Sequence, residues 1–216
     1  MKVLVTGATG MVGGSSLVEA LRDPRVTRVV SVGRRKTGRN DPKLEELVVD
    51  SMGDLSPVAD RLRGIEACLW CLGVSAVGMD KDEYRKVTHD YTVDGARLLK
   101  RLNPTMAFAY VSGAGTGVEK RANWAKVKGE TERDLLGLFY HAYMFRPAYI
   151  QPREGVTSRT GWYRAFYRLG SWMYPLLPGS IATESTTLAH AMLNAVAARG
   201  PSKVLESRDI NALGQT

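Results

Sequence analysis

Gly7, Gly10 and Gly13, within the opening MKVLVTGATGMVG, constrain the fold of this chain more than any other feature. Val3, Leu4 and Val5 form a short apolar, β-branched run that reads as a buried strand. A helical pattern begins beyond the glycines, through Leu17, Val18 and Leu21. A strand, a G-x-x-G-x-x-G turn and a helix together make a dinucleotide-binding loop. One glycine reverses the chain, one lets a pyrophosphate approach the backbone, and one lets helix pack on strand. The helix N-terminus then offers free N–H groups to the phosphates. Gly7, Thr9, Gly10, Met11 and Val12 are the expected cofactor contacts of this turn.

The rest of the chain fits that start. At 216 residues it is long enough to bury a core, and it reads as one domain over residues 1–216. The first strand begins almost at Met1, leaving no room for a signal peptide, and no run of about 18 apolar residues offers a membrane span. A cytoplasmic location is the expectation. The two cysteines, Cys68 and Cys71, fall three apart in an apolar strand and so face opposite ways, which suits buried thiols better than redox or zinc chemistry. His89, His141 and His190 are scattered. No metal site is expected.

Alternation continues to the end of the chain. Helical patterns cover residues 12–22, 55–62, 80–102, 121–138 and 183–198. Strands are expected at 28–33, 46–50, 67–72, 106–111 and 142–146, with a last one at 204–206. This pattern predicts an α/β, doubly wound Rossmann fold: a mostly parallel sheet of six to seven strands with helices on both faces. Ligands of such sheets bind at the carboxyl ends of the strands, which nominates Cys71, Leu72 and Gly73 after the fourth strand. Asp50, at the end of the third, is read either as an acceptor for an adenine amino group or as a loop cap.

The net charge of +8 is concentrated. Residues 22–43 carry Arg22, Arg25, Arg28, Arg34, Arg35, Lys36, Arg39 and Lys43 against Asp23 and Asp41. Such a patch suits a solvated face, a nucleic acid or an extra phosphate. Arg34 and Arg35 end the second strand, where an NAD site places an acid for the ribose 2′-hydroxyl. A guanidinium there would match a 2′-phosphate, so NADP(H) is expected in preference to NAD(H). No separate recognition motif accompanies the patch, and no nucleic acid partner is expected.

TGATGMVG, AYVSGAGTG, Lys128-Gly129-Glu130 and FRPAYIQP, in that order along nearly the whole chain, resemble the short-chain dehydrogenase/reductase superfamily. The resemblance is nearest its atypical, epimerase-like branch, which includes the Tat-interacting oxidoreductase. It implies a Ser, a Tyr and a Lys acting together, the last two as Y-x-x-x-K. Ser112 then matches the serine that orients the substrate, and Lys128 the lysine that holds the nicotinamide ribose. Trp124 occupies the tyrosine position, and an indole neither gives nor takes a proton at useful pH. Tyr91, Tyr110, Tyr149 or a water chain on Lys128 are candidate substitutes, and Trp124 itself is a candidate stacking wall. Pro147, Ala148 and Tyr149 match the segment whose backbone meets the nicotinamide carboxamide.

The aromatic-rich stretch at 161–179 is read as core packing, as a membrane-surface helix or as a lid, and the resemblance implies a small substrate-side lid region over residues 150–182. The function expected is hydride transfer on a small carbonyl or hydroxyl compound by an NADP(H)-binding oxidoreductase or epimerase-like protein. The alternative is a non-catalytic cofactor sensor. A homodimer or a protein partner stays open.

Overall fold

The computed structural model describes residues 1–152, 182–201 and 203–215. Among the described residues nine strands run in chain order: β1 (Lys2–Thr6), β2 (Arg28–Gly33), β3 (Leu44–Val48), β4 (Ala67–Trp70), β5 (Ala107–Val111), β6 (Ala142–Arg146), β7 (Tyr149–Gln151), β8 (Ala182–Glu184) and β9 (Lys203–Glu206). The helices are α1 (Met11–Arg22), α2 (Lys81–Arg85), α3 (Tyr91–Leu102), α4 (Asn123–Leu138), α5 (Ser185–Ala198) and α6 (Ser207–Gly214). A 3₁₀ segment occupies Ser56–Leu62, and a π turn, Lys86–Asp90, joins α2 to α3.

Seven strands make one parallel sheet in the order β3-β2-β1-β4-β5-β6-β9. This is the expected doubly wound α/β fold. Because helices cover both faces, the central strands are apolar throughout rather than alternating. Val3, Val5, Leu69, Ala109 and Phe145 enter the core under α1, α5 and α6. Leu4, Val30, Cys68, Trp70, Phe108 and Met144 enter the core on the other face. Strand order reverses between β2 and β4, on either side of β1, so the crevice for a ligand opens above the carboxyl end of β1.

Several boundaries differ from expectation. β3 lies two residues early, at Leu44–Val48, where it pairs with Val29 to Gly33 of β2, and Glu45 ion-pairs with both Arg28 and Arg61. Asp80 caps α2, its Oδ1 accepting from the N–H groups of Asp82 (2.9 Å) and Glu83 (3.2 Å). The helix expected over 80–102 is interrupted by the π turn. Residues 182–184 form β8, paired with β7, instead of starting a helix. Most of the expected lid, and all of 161–179, lie outside the described residues.

Candidate active site at the carboxyl edge of the sheet

The glycine turn is tight for steric reasons. Gly7 has φ +67°, and a Cβ on it would lie 2.5 Å from the Cys71 carbonyl oxygen. A Cβ on Gly13 would lie 2.2 Å from the Gly7 carbonyl oxygen, so only hydrogen fits between α1 and the turn. Gly10 donates its N–H to Gly7 O (2.8 Å) and serves as the N-cap of α1. Helix geometry leaves the N–H groups of Met11, Val12 and Gly13 without helical acceptors, and no acidic side chain competes in the first turn. Thr9 is exposed beside them. The turn therefore fits a pyrophosphate.

Thr6, which sequence reasoning missed, holds the neighbouring loop. Its Oγ1 accepts from the N–H groups of Cys71 (3.1 Å) and Leu72 (3.2 Å), tying the end of β4 to the end of β1. Leu72 lines the cleft above the turn, together with Gly7, Ala8, Thr9, Ser31, Arg34 and Met52, and the cleft is open to solvent. Gly73 stands beyond it, exposed, with open space where a side chain would be. Asp50 is exposed and does not line the cleft, where Met52 lies instead. Cys71 packs toward Ser16 at 3.6 Å, and burial pushes its thiol up to about 12. Cys68 lies in the opposite core.

The basic cluster is divided by the fold. Arg25 is held by Asp23 and Asn194, Arg28 by Glu45, and Lys43 by the carbonyl oxygens of Leu21 and Asp23. Arg34 and Arg35 line the cleft but are exposed. Neither has a hydrogen bond or ion pair among the described residues, so no preformed clamp for a 2′-phosphate exists there.

Ser112 is buried just past β5. Thr116 gives its hydroxyl proton to Gly113 O at 2.7 Å, which leaves its oxygen as the acceptor for Ser112 at 3.3 Å. That long contact leaves the serine hydroxyl available to a substrate. Lys128, on α4, donates from Nζ to Val111 O (3.3 Å) and stands 5.5 Å above the Tyr110 ring. Burial lowers its ammonium to about 8. The loop between β5 and α4 crosses α4 at Gly129, where a Cβ would lie 2.5 Å from the Gly117 carbonyl carbon, which explains Lys128-Gly129. Trp124 lies against the glycines of this loop, 3.9 Å from a Cβ built on either Gly113 or Gly115, and is 37% exposed.

The substitute tyrosines are occupied elsewhere. Tyr91 packs under Gly53, Tyr110 is buried with its phenol raised well above the usual range, and Tyr149 donates its hydroxyl to Gln151 Oε1 at 2.8 Å. Pro147 O accepts from the Ala114 N–H (3.1 Å), bringing its segment against the serine loop. Ala148 spends its N–H on Ser207 Oγ (3.0 Å), so that N–H is not free for a carboxamide as expected. A second missed feature lies beneath: Glu132, buried one turn after Lys128, takes a forked pair of hydrogen bonds from Arg146, which also reaches Glu206. Glu132 was accessible from its i+4 spacing to Lys128, but Arg146 as its partner was not.

No family model matches the chain. Among solved structures, WbmH of Bordetella bronchiseptica with NAD+ has TM-score 0.70 at 19% identity, over 95% of this chain and 75% of that one. MoeE5 with UDP-glucose and NAD has TM-score 0.69 at 18% identity, with the same coverage. The fold is that of the NAD(P)-binding, epimerase/dehydratase-like Rossmann superfamily. By sequence, the mitochondrial protein FMP52 of Saccharomyces cerevisiae is 29% identical over 174 residues, covering 74% of this chain and 71% of that protein. HTATIP2 of Rattus norvegicus is 28% identical over 223 aligned positions, covering 99% and 89%. Two expectations are corrected. Solved structures similar to this chain whose nicotinamide cofactor is named hold NAD, which overturns the preference for NADP(H) and agrees with the unclamped Arg34 and Arg35. The FMP52 relatives are mitochondrial, which overturns the cytoplasmic expectation. Among the described residues no helix is long and apolar enough to cross a membrane.

Proposed function

We propose that the chain binds NAD(H) across the glycine turn and carries out hydride transfer on a small carbonyl or hydroxyl compound at Ser112 and Lys128. The observation that carries this reading is the convergence of an open phosphate turn at β1 with a buried serine and a desolvated lysine at β5 and α4, all along one sheet edge. The turn N–H groups of Met11 and Val12 hold the pyrophosphate, and the cleft beside Met52 and Arg34 takes the adenosine end. Ser112 orients the substrate oxygen, and Lys128 contacts the nicotinamide ribose. When bound, the nicotinamide supplies or accepts the hydride. The chain acts as one domain, with residues 150–182 on the substrate side.

Trp124 favours a second reading, a cofactor sensor without turnover. Both readings require dinucleotide binding, so the first test is a titration with NADH followed by nicotinamide fluorescence. Saturable binding that is lost in Gly7→Val supports the site. Absence of binding removes both readings. Stopped-flow oxidation of bound NADH against a panel of aldehydes and ketones then separates enzyme from sensor.

A further inference from the structure

Resting on that reading, the site has a substrate-orienting serine and a lysine but, among the described residues, no phenol between them. Among the described residues, the groups facing Lys128 are few. Glu132 lies one turn along α4 and is closed by Arg146 from β6; Tyr110 lies below from β5, with Tyr84 of α2 coupled electrostatically to it. Ser112 and Thr116 hold only hydroxyls against each other. Tyr110 is buried beneath the ammonium rather than beside the serine, and Trp124 carries no exchangeable acid. Among the described residues, the one side-chain hydrogen bond of Lys128 goes to Val111 O, at the residue next to Ser112, which leaves further N–H bonds for a ligand.

We propose that Lys128 itself exchanges the proton with the substrate oxygen that Ser112 orients, doing the work a tyrosine would do in a Y-x-x-x-K pair. In the reducing direction the carbonyl carbon takes hydride from a reduced nicotinamide, which is thereby oxidised. The carbonyl oxygen forms its O–H bond as an N–H bond of the ammonium breaks, and the neutral amine regains a proton from water. In the oxidising direction the amine takes the hydroxyl proton. Desolvation suits the residue to this: an ammonium lowered to about 8, with Glu132 opposing the shift only in part, populates acid and base forms near neutral pH. Reduction then weakens as pH rises through about 8, and oxidation strengthens over the same range.

The test uses the full chain and no substrate. Trace acetylation by acetic anhydride across a pH series, read by mass spectrometry on the Lys128 peptide, gives the ionisation midpoint of that amine. The expected midpoint is about 8; a midpoint at the ordinary lysine value of ~10.4 overturns the proposal. NADH titration beside this measurement separates the failures. Normal NADH binding with an ordinary Lys128 midpoint removes this inference alone, whereas no NADH binding removes the nicotinamide reading beneath it.

Discussion

Gly13→Ala sets two effects of opposite sign against each other. Alanine is the better helix former by about 1 kcal/mol, and Gly13 is the third residue of α1, so propensity alone forecasts a more stable protein. The added Cβ would, however, lie 2.2 Å from Gly7 O, 2.4 Å from its carbonyl carbon and 2.9 Å from the Ala8 nitrogen. These are backbone atoms, with no side-chain end to rotate away. Restoring a tolerable contact requires α1 and the turn to part by about 1 Å, and overpacking of this kind costs ~1–3 kcal/mol. The clash should win, leaving the variant destabilised by about 1–2 kcal/mol in urea unfolding. The same displacement lengthens hydrogen bonds from Met11 and Val12 to a bound pyrophosphate beyond useful range. Losing one charge-assisted bond of ~1.5–3 kcal/mol weakens NADH binding on the order of 10- to 100-fold. Gly137→Ala is the control, since a Cβ there meets nothing within 4 Å near the end of α4. It should be neutral or slightly stabilising, with NADH binding intact. If Gly13→Ala matches Gly137→Ala in both measurements, the steric account of the turn is wrong.

Glu132→Gln leaves the Arg146 guanidinium without its charge partner in a largely buried setting, and should cost about 3–5 kcal/mol by urea unfolding; Glu206, its half-exposed other partner at 3.3 Å, cannot replace the forked contact. Gln paired with Arg146→Met should recover much of that loss, and equal instability of single and double variants would refute the pairing argument. Thr6→Val keeps shape but removes the acceptor for two N–H groups at the end of β4, so a loss of ~1–3 kcal/mol is expected, with faster amide exchange at Cys71 and Leu72. Native Cys68 and Cys71 should resist iodoacetamide at about pH 8, since burial raises both thiols and that of Cys71 to about 12, whereas in urea both should react at the rate of ordinary thiols near ~8.5. Rapid native alkylation of Cys71 would show its pocket to be open.

What the sequence made legible was what local sterics and two-sided burial dictate. Val3 to Val5 read as a buried strand because a parallel strand meets helices on both faces, and the glycines that follow admit no side chain at Gly7 or Gly13. The opposite facing of Cys68 and Cys71 followed from strand periodicity alone. Features that depend on residues meeting across the sheet were out of reach. Thr6 clamps a loop 65 and 66 positions away, and Arg146 meets Glu132 only because β6 runs beside α4. β3 lies earlier than its valines suggested because its extent is set by pairing with Val29 to Gly33 of β2, which no local pattern reports.

The expectation of NADP(H) failed because composition at a position was read as a contact. Arg34 and Arg35 stand where a 2′-phosphate would lie, yet nothing orients either guanidinium toward it. A binding site for a doubly charged group needs its donors fixed before the ligand arrives, because ordering a long side chain costs up to ~2 kcal/mol of rotamer entropy that each new contact must offset. Ala148 shows the converse. Its small side chain does leave the backbone open, but the N–H is already spent on Ser207, a residue 59 positions later that no local pattern connects to it. Lys128 is the opposite case: the sequence supplied the residue, and burial against Tyr110 and Val111 lowers its ammonium to about 8, which its position alone does not show.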